Sequence, residues 1–310
     1  MTFLPLFVDS NYELRSGWKT LAYASVLVFL YVAWALALGL IISWLYPALL
    51  PTSIEDPRAL YVSAIAGFFP AAVALWIMAR LVDRAPLSVF GVAVHERCFR
   101  DFIVGIAVAA GMLGLTLAGS FAFGDVRIQW GSASLPAFGL LLAVLAVAAL
   151  NEELVFRGYP LQVLMKGIGP WGAILLISSL FGVVHFQNPG ATALSIVNTI
   201  LAGVLLSLAY WKTRSLWLPW GIHLGWNAGL AIVLGFPVSG LRLDSLLETH
   251  VSGPKMILGG SYGPEDGILG TVIFLLGAIV VYRMRVAGVS PKIGAALAAH
   301  AGKVYVQNRD

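Results

Sequence analysis

Long apolar segments alternate along the chain with short segments that carry the charged residues. A helix needs about 20 mostly apolar residues to cross the hydrocarbon core of a membrane. Stretches without any Asp, Glu, Lys or Arg run over 20–54, 59–79, 102–124, 128–151, 167–211, 215–241 and 267–282. The pattern therefore predicts a series of membrane-spanning helices.

The stretch 167–211 is too long for one span, and it contains the sequence Gln187-Asn188-Pro189-Gly190. Such a cluster is typical of a turn, so we interpret the stretch as two antiparallel helices. The predicted spans lie near 20–46, 59–82, 101–123, 134–166, 170–187, 190–211, 215–236 and 267–284. The fold class is then an all-α polytopic membrane protein with about eight transmembrane helices.

The composition is consistent with lipid as the main solvent of this chain. Only 11% of the residues are charged and 59% are hydrophobic, whereas soluble domains have about 25% charged residues. A single core surrounded by water cannot bury so much apolar surface in a chain of 310 residues. The single cysteine, Cys98, cannot form a disulfide within the chain.

The basic residues indicate the orientation, because Lys and Arg are enriched in cytoplasmic loops. With the N-terminus inside, 15 basic residues fall in inner segments and 4 in outer segments. The inner set is Arg15, Lys19, Arg80, Arg84, Arg97, Arg100, Arg157, Lys166, Lys212, Arg214, Arg283, Arg285, Lys292, Lys303 and Arg309; the outer set is Arg58, Arg127, Arg242 and Lys255. We predict a multi-pass protein of the cell membrane with both termini in the cytoplasm.

Predicted span four contains two adjacent acidic residues, Glu152 and Glu153. An ionised side chain in the middle of a membrane helix costs about 2.5–3.5 kcal/mol on insertion scales. Glu153 and Arg157 are four residues apart, so they lie on the same helix face and can pair. Glu152 points about 100° away from them. Glu153 therefore has a structural explanation, and Glu152 needs a different partner.

Spans five and seven supply polar partners for Glu152. Glu152 lies about 16 residues before the centre of the turn 167–170 and His185 about 17 residues after it, so both lie about 24 Å from that turn. His223 and Asn227, four residues apart in span seven, share a helix face. We expect the four side chains to meet inside the bundle, near its centre or on its cytoplasmic side.

This combination of residues suits the hydrolysis of a peptide bond, which requires an activated water and donors for the developing oxyanion. Glu152 and His185 could polarise the water, while His223 and Asn227 could donate to the oxyanion. Two His and one carboxylate are also a zinc ligand set, so Glu152, His185 and His223 could hold a metal instead. The chain has no HExxH sequence and no GxSxG sequence.

Three motifs occur in order on separate predicted helices: Glu152-Glu153-x-x-x-Arg157, Phe181-x-x-x-His185 and His223-x-x-x-Asn227. Together they resemble the CPBP (ABI) family of CAAX prenyl endopeptidases of the Ras-converting type and bacteriocin-processing or immunity proteins. The resemblance implies that Glu152 and His185 activate water, that His223 and Asn227 form the oxyanion site, and that Glu153 and Arg157 support them. It also implies metal-independent catalysis, as in a glutamate protease.

The resemblance covers roughly 134–285, and it divides the chain into three parts. Three N-terminal helices occupy 1–133, a catalytic membrane core of helices four to eight occupies 134–285, and a basic cytoplasmic tail, interpreted as mobile, occupies 286–310. The glycine-rich segment 259–266 is interpreted as a turn over the outer mouth of the core, without a chemical role.

These observations predict an intramembrane endopeptidase without metal or other cofactor. Its expected partners are membrane lipid and a peptide or lipid-modified polypeptide, processed in a CAAX-type or bacteriocin-related reaction; no nucleic-acid partner is expected. Three alternatives stay open. They are a zinc-dependent version of the same protease, a non-catalytic bacteriocin immunity or binding protein, and a proton or ion carrier that uses the same buried groups.

Overall fold

The computed structural model describes residues 4–8, 13–49 and 57–307, and most of these residues are helical. The helices are α1 (Leu4–Phe7), α2 (Ser16–Leu45), α3 (Pro57–Ile77), α4 (Cys98–Phe123), α5 (Leu135–Glu153), α6 (Pro160–Val184), α7 (Ala193–Thr213), α8 (Trp217–Ala228), α9 (Lys255–Leu258), α10 (Ile268–Arg283) and α11 (Pro291–Gln307). Turns of π-helix extend α3, α5 and α8 over Met78–Val82, Leu154–Gly158 and Gly229–Val233. The predicted all-α class is confirmed.

Five helical segments of the described chain are long and apolar enough to cross a membrane: Ser16–Leu45, Leu60–Val82, Cys98–Phe123, Leu135–Gln187 and Ala193–Thr213. The segment Leu135–Gln187 has 53 residues, and it is interrupted at Gly169, whose φ of 75° is not helical. Pro170 follows, and its missing N–H prevents a regular continuation. The polytopic membrane architecture is confirmed, while the number of eight spans stays a prediction.

The helix that carries the two adjacent acids is less regular than the predicted single span 134–166. After Glu153 the chain widens into the π turn Leu154–Gly158, and Pro160 then begins α6. Proline has no backbone N–H, so Pro160 cannot donate a hydrogen bond to a carbonyl of the preceding turn. The irregular turn directly follows the acids, and π turns are frequent at functional sites.

Helices α4 and α8 pack side by side at a very short distance. A Cβ atom at Gly105 would lie 2.5 Å from the Leu218 carbonyl oxygen, and one at Gly221 would lie 2.2 Å from the Phe102 carbonyl oxygen. Small residues permit such close contact between membrane helices, where van der Waals packing drives association. This packing fixes α8, and with it His223, against the rest of the bundle.

We expect Gly105→Ala to destabilise the protein by about 1–3 kcal/mol, because its methyl group must displace the backbone of α8. Gly114→Ala on the same helix is the matched control, since nothing lies within 4 Å of its added Cβ. Thermal unfolding of the purified variants in detergent measures both effects. Equal melting temperatures for the two variants would contradict the close packing of α4 and α8.

One end of the bundle, here called the loop end, comprises the connections 124–134, 185–192 and 234–267. It contains a two-stranded antiparallel sheet of β1 (Asp125–Trp130) and β2 (Leu247–Ser252), with Arg127 opposite His250. The sheet joins the α4–α5 connection to the α8–α10 connection. The sequence analysis did not predict it, because a pair of strands so distant in sequence leaves no hairpin signal.

The opposite end, here called the basic end, comprises the start of α2 and the segments 83–97, 164–169, 210–216 and 284–307. Lys19 Nζ forms an ion pair with Asp83 at 2.6 Å, and Lys292 Nζ donates to the Val94 carbonyl at 2.6 Å. The tail was predicted to be mobile, but α11 contacts the 87–90 turn and buries Ile293 completely. Arg309 lies outside the described residues.

Candidate active site

Glu152, His185 and His223 converge from three helical segments. Glu152 lies in the last turn of α5, His185 directly follows α6, and His223 lies in the middle of α8. The Nε2 atom of His185 is 3.8 Å from Glu152 Oε2, and Nε2 of His223 is 3.7 Å from the same oxygen. Glu152 Oε2 is buried and has no hydrogen-bond partner among the described residues. The predicted meeting of these three residues is therefore present in the structure.

The other nitrogen of each imidazole is already engaged. Nδ1 of His185 donates to the Phe181 carbonyl oxygen at 2.6 Å, since a carbonyl can only accept. Nδ1 of His223 donates to Glu153 Oε1 at 2.8 Å. Each imidazole in its neutral form then presents the lone pair of Nε2 toward Glu152. The phenylalanine of the second motif thus has a defined role through its backbone, because it fixes the orientation of His185.

Glu153 and Arg157 form the predicted ion pair, with Nη1 3.1 Å from Oε1 and both side chains fully buried. The guanidinium lies 4.3 Å from the centre of the Phe181 ring, and Nη2 donates to the Gly203 carbonyl at 3.4 Å. Because Glu153 Oε1 also accepts from His223, the pair is connected to the imidazole that faces Glu152. The pair therefore holds His223 in place as well as neutralising its own charge.

Glu152, His185 and His223 line a cavity of about 280 Å³. Asn227 lies on its wall, one helical turn beyond His223, so the fourth predicted residue borders the same space. Much of the remaining wall is apolar and comes from five helices: Leu60, Met112, Leu145, Ala148, Ala202, Leu205, Leu206 and Phe274. The cavity is large enough for a short peptide segment next to the polar groups.

The structure adds one residue that the sequence analysis missed. Glu265, in the segment interpreted as a turn without chemistry, lines the same cavity and is 8% exposed. Its carboxylate accepts from Trp226 Nε1 at 2.9 Å and from the Ser239 backbone N–H at 2.6 Å. Burial raises the pKa of the Glu265 carboxyl, and these two hydrogen bonds lower it in part. The residues that donate to Glu265 lie 26 and 39 positions before it in the sequence. A pattern of helical spacing therefore could not identify Glu265 as a site residue.

The cavity extends toward the loop end of the bundle. Besides the helices, its wall includes Asn188, Val238, Ser239 and Leu241 from the loop end. No residue of the basic end, as the structure describes it, belongs to this wall. Counting residues from the turns located the common depth of Glu152 and His185, but it could not show toward which end the cavity extends.

A zinc ion at this site would be held by Glu152, His185 and His223. Zinc binds nitrogen and oxygen at about 2.0–2.2 Å in a tetrahedron, which places neighbouring donors about 3.3–3.5 Å apart. The N···O separations of 3.7 and 3.8 Å are slightly longer. Within 4–8, 13–49 and 57–307, no group of three or more His, Cys, Asp or Glu side chains is arranged to hold a metal. The donor types suit zinc, but their spacing here does not.

The family model of the Rce1-like type II CAAX prenyl endopeptidases matches residues 133–229. The matched segment contains all three motifs, from Glu152 to Asn227, and confirms the resemblance that they indicated. No curated protein and no solved structure matches the chain.

Proposed function

We propose that this protein is an integral-membrane endopeptidase that hydrolyses a peptide bond in the cavity beside Glu152. The observation that carries the proposal is the position of Glu152 Oε2 between two imidazole nitrogens, 3.8 and 3.7 Å away. The matched family consists of endopeptidases by its description, which supports hydrolysis as the reaction.

Glu152 and His185 activate the attacking water in this proposal. Separations of 3.7–3.8 Å exceed a direct hydrogen bond, and they suit groups that share a water. A water that donates one hydrogen to Glu152 Oε2 and the other to Nε2 of His185 keeps a lone pair for the carbonyl carbon. Glu152 then takes a proton as the carbon–oxygen bond forms, which is general base catalysis. The same proton is available for the leaving amine.

His223 and Asn227 stabilise the oxyanion in this proposal. Nδ1 of His223 donates to Glu153, so its Nε2 becomes a second donor only when the imidazole is positively charged. The buried carboxylate of Glu153, 2.8 Å from Nδ1, fixes the orientation of this imidazole. The Asn227 amide, on the same face of α8, supplies an uncharged donor. Glu153 therefore supports catalysis through His223.

Asn227→Ala should reduce kcat by about 10²–10³-fold, because one oxyanion donor typically contributes that factor. The effect on KM should be small, since an oxyanion forms only after the substrate has bound. Steady-state cleavage kinetics of the purified variants separate the two constants. Ser261→Ala, at an exposed loop position, is the control. A variant at Asn227 that loses affinity but keeps its kcat would exclude this role.

The zinc-dependent protease is the second candidate, and one observation favours it. Metal-binding histidines usually donate their second ring N–H to a carbonyl or carboxylate, as His185 and His223 do. We expect no loss of cleavage after incubation with a strong chelator and removal of metal by dialysis. Loss of activity that stoichiometric zinc restores would establish the second candidate instead.

Purified protein in lipid, mixed with a library of peptides, tests the proposed function directly. Mass spectrometry should find cleaved peptides that are absent when the Glu152→Gln variant replaces the wild-type protein. Peptides with and without an attached lipid group show which class is accepted. Identical products from both proteins would favour the non-catalytic binding or immunity protein.

A further inference from the structure

A second buried carboxylate borders the active-site cavity, and the proposed mechanism does not use it. Glu265 is 8% exposed and lies in the turn Pro264–Asp266, directly before α10. The side-chain amide of Asn198 in α7 donates to the Glu265 carbonyl at 2.8 Å and to the Gly267 carbonyl at 3.0 Å. These two bonds fix the backbone of the turn, so the Glu265 side chain is held at one place on the cavity wall.

The hydrogen bonds of the Glu265 carboxylate suit its ionised form. Oε1 accepts from Trp226 Nε1 at 2.9 Å. Oε2 accepts from the Ser239 backbone N–H at 2.6 Å and from the Ser239 hydroxyl at 3.2 Å. Donors of this kind favour the charged form of a carboxyl group. An ionised carboxylate has about four lone-pair sites, so one site on Oε1 is left for a further donor.

The protein supplies no basic side chain to neutralise this carboxylate. Within the described ranges, the wall of the cavity contains no Lys and no Arg. Arg157, the buried cation of the site, is paired with Glu153. Buried charges in proteins are normally paired. Burial raises the pKa of the Glu265 carboxyl group, and an opposite charge close to the carboxylate would lower it again. A cation that enters the cavity would therefore be stabilised by Glu265.

The Glu265 carboxylate lies close to the groups that act on the peptide bond. Its two donor residues, Trp226 and Ser239, line the same cavity as Glu152. Trp226 directly precedes Asn227 in α8. Much of the remaining wall is apolar, and opposite charges attract each other more strongly in such surroundings than in water. A side chain bound at Glu265 would thus belong to a residue only a few positions from the bond cleaved beside Glu152.

We propose that Glu265 determines specificity by binding a positively charged side chain of the substrate, so that the preferred substrates are polypeptides with a Lys or Arg close to the cleaved bond. The substrate class rests on the proposed function, because it is defined relative to a cleaved bond. An acidic side chain at the same position of the substrate is disfavoured, since Glu265 repels it.

Cleavage of matched peptides by the purified full chain in lipid tests this specificity. One peptide that the wild-type protein cleaves is N-acetylated and carries a single Lys, norleucine or Glu at each position in turn around the cleaved bond. At one position, kcat/KM should be about 10–100-fold higher with Lys than with norleucine, and it should be lowest with Glu. Glu265→Gln should bring the ratio of Lys to norleucine close to one. A wild-type protein without such a position would overturn the proposal.

Ser239→Ala is the matched control, because it separates the charge of Glu265 from its hydrogen bonds. This variant loses the hydroxyl bond to Oε2 but keeps the backbone N–H bond and the carboxylate. Its ratio of Lys to norleucine should equal that of the wild-type protein. The ratio is measured within each variant, so a smaller folded fraction does not change it. An equal loss of kcat/KM for both peptides in Glu265→Gln would show that Glu265 is only a structural residue.

Peptide binding to the Glu152→Gln variant provides the same comparison without turnover. Fluorescence polarisation should show about 10–100-fold tighter binding of the labelled Lys peptide than of its norleucine analogue. The double variant Glu152→Gln, Glu265→Gln should bind both peptides equally. Discrimination in binding without any cleavage by the wild-type protein would count against the proposed function alone. Cleavage without discrimination between the peptides would count against the role of Glu265 alone.

Discussion

Glu152→Gln should lower the rate of peptide cleavage by at least about 10²–10⁴-fold, the usual contribution of a general base. The substitution keeps the size of the side chain and removes only its ability to take a proton. Its Oε2 has no hydrogen-bond partner among the described residues, so the fold should not depend on its charge. The measurement is the single-turnover cleavage rate of purified protein at saturating peptide.

Glu248→Gln is the matched control for this experiment. Glu248 lies in β2, outside the cavity, and accepts a hydrogen bond from Gln129 at 2.9 Å. The control variant should cleave at the wild-type rate, and both variants should unfold at the wild-type temperature. A Glu152→Gln variant that retains most of its activity would show that another group activates the water.

Arg157→Met should be the most destabilising single substitution at the site, at about 3–5 kcal/mol, because it leaves the buried charge of Glu153 without its partner. The double variant Glu153→Gln, Arg157→Met should recover most of that stability, since no unpaired charge then remains inside the protein. Unfolding of the purified variants in detergent, followed by helix content, measures both effects. A double variant no more stable than Arg157→Met would contradict the explanation by charge.

Catalysis should not recover in the same double variant. His223 would keep a hydrogen bond to the amide oxygen of the glutamine at position 153. It would lose the negative charge that the Glu153 carboxylate provides in the wild-type protein. Hydrogen bonds to charged groups contribute about 1.5–3 kcal/mol, so kcat should stay about 10–100-fold below the wild-type value. A double variant with wild-type stability and wild-type kcat would assign the pair a purely structural role.

Much of this arrangement could be predicted because helices follow simple rules of spacing. The pairing of Glu153 with Arg157 follows from a separation of four residues. The proximity of Glu152 and His185 follows from their nearly equal separations along the sequence from the turn 167–170. The link between His223 and Glu153 was not predictable in the same way. It depends on the rotation of α8 about its own axis, which the close packing at Gly105 and Gly221 determines.

The parts that the sequence analysis missed depend on contacts between distant segments. The pairing of β1 with β2 joins segments more than a hundred residues apart, and neither segment shows this by itself. Glu265 reaches the cavity because the connection 234–267 folds back over α8. The direction of the cavity depends on the same connection. Hydrophobic patterns identify helices in a membrane, but they carry little information about the loops between them.

The most direct test of the central claim compares cells that produce the wild-type protein with cells that produce Glu152→Gln at the same level. Mass spectrometry of polypeptide ends in their membranes and medium records every new cleavage. The account predicts at least one polypeptide that is cut only in the presence of Glu152. Identical sets of polypeptide ends in the two strains would contradict the claim that this site hydrolyses peptide bonds.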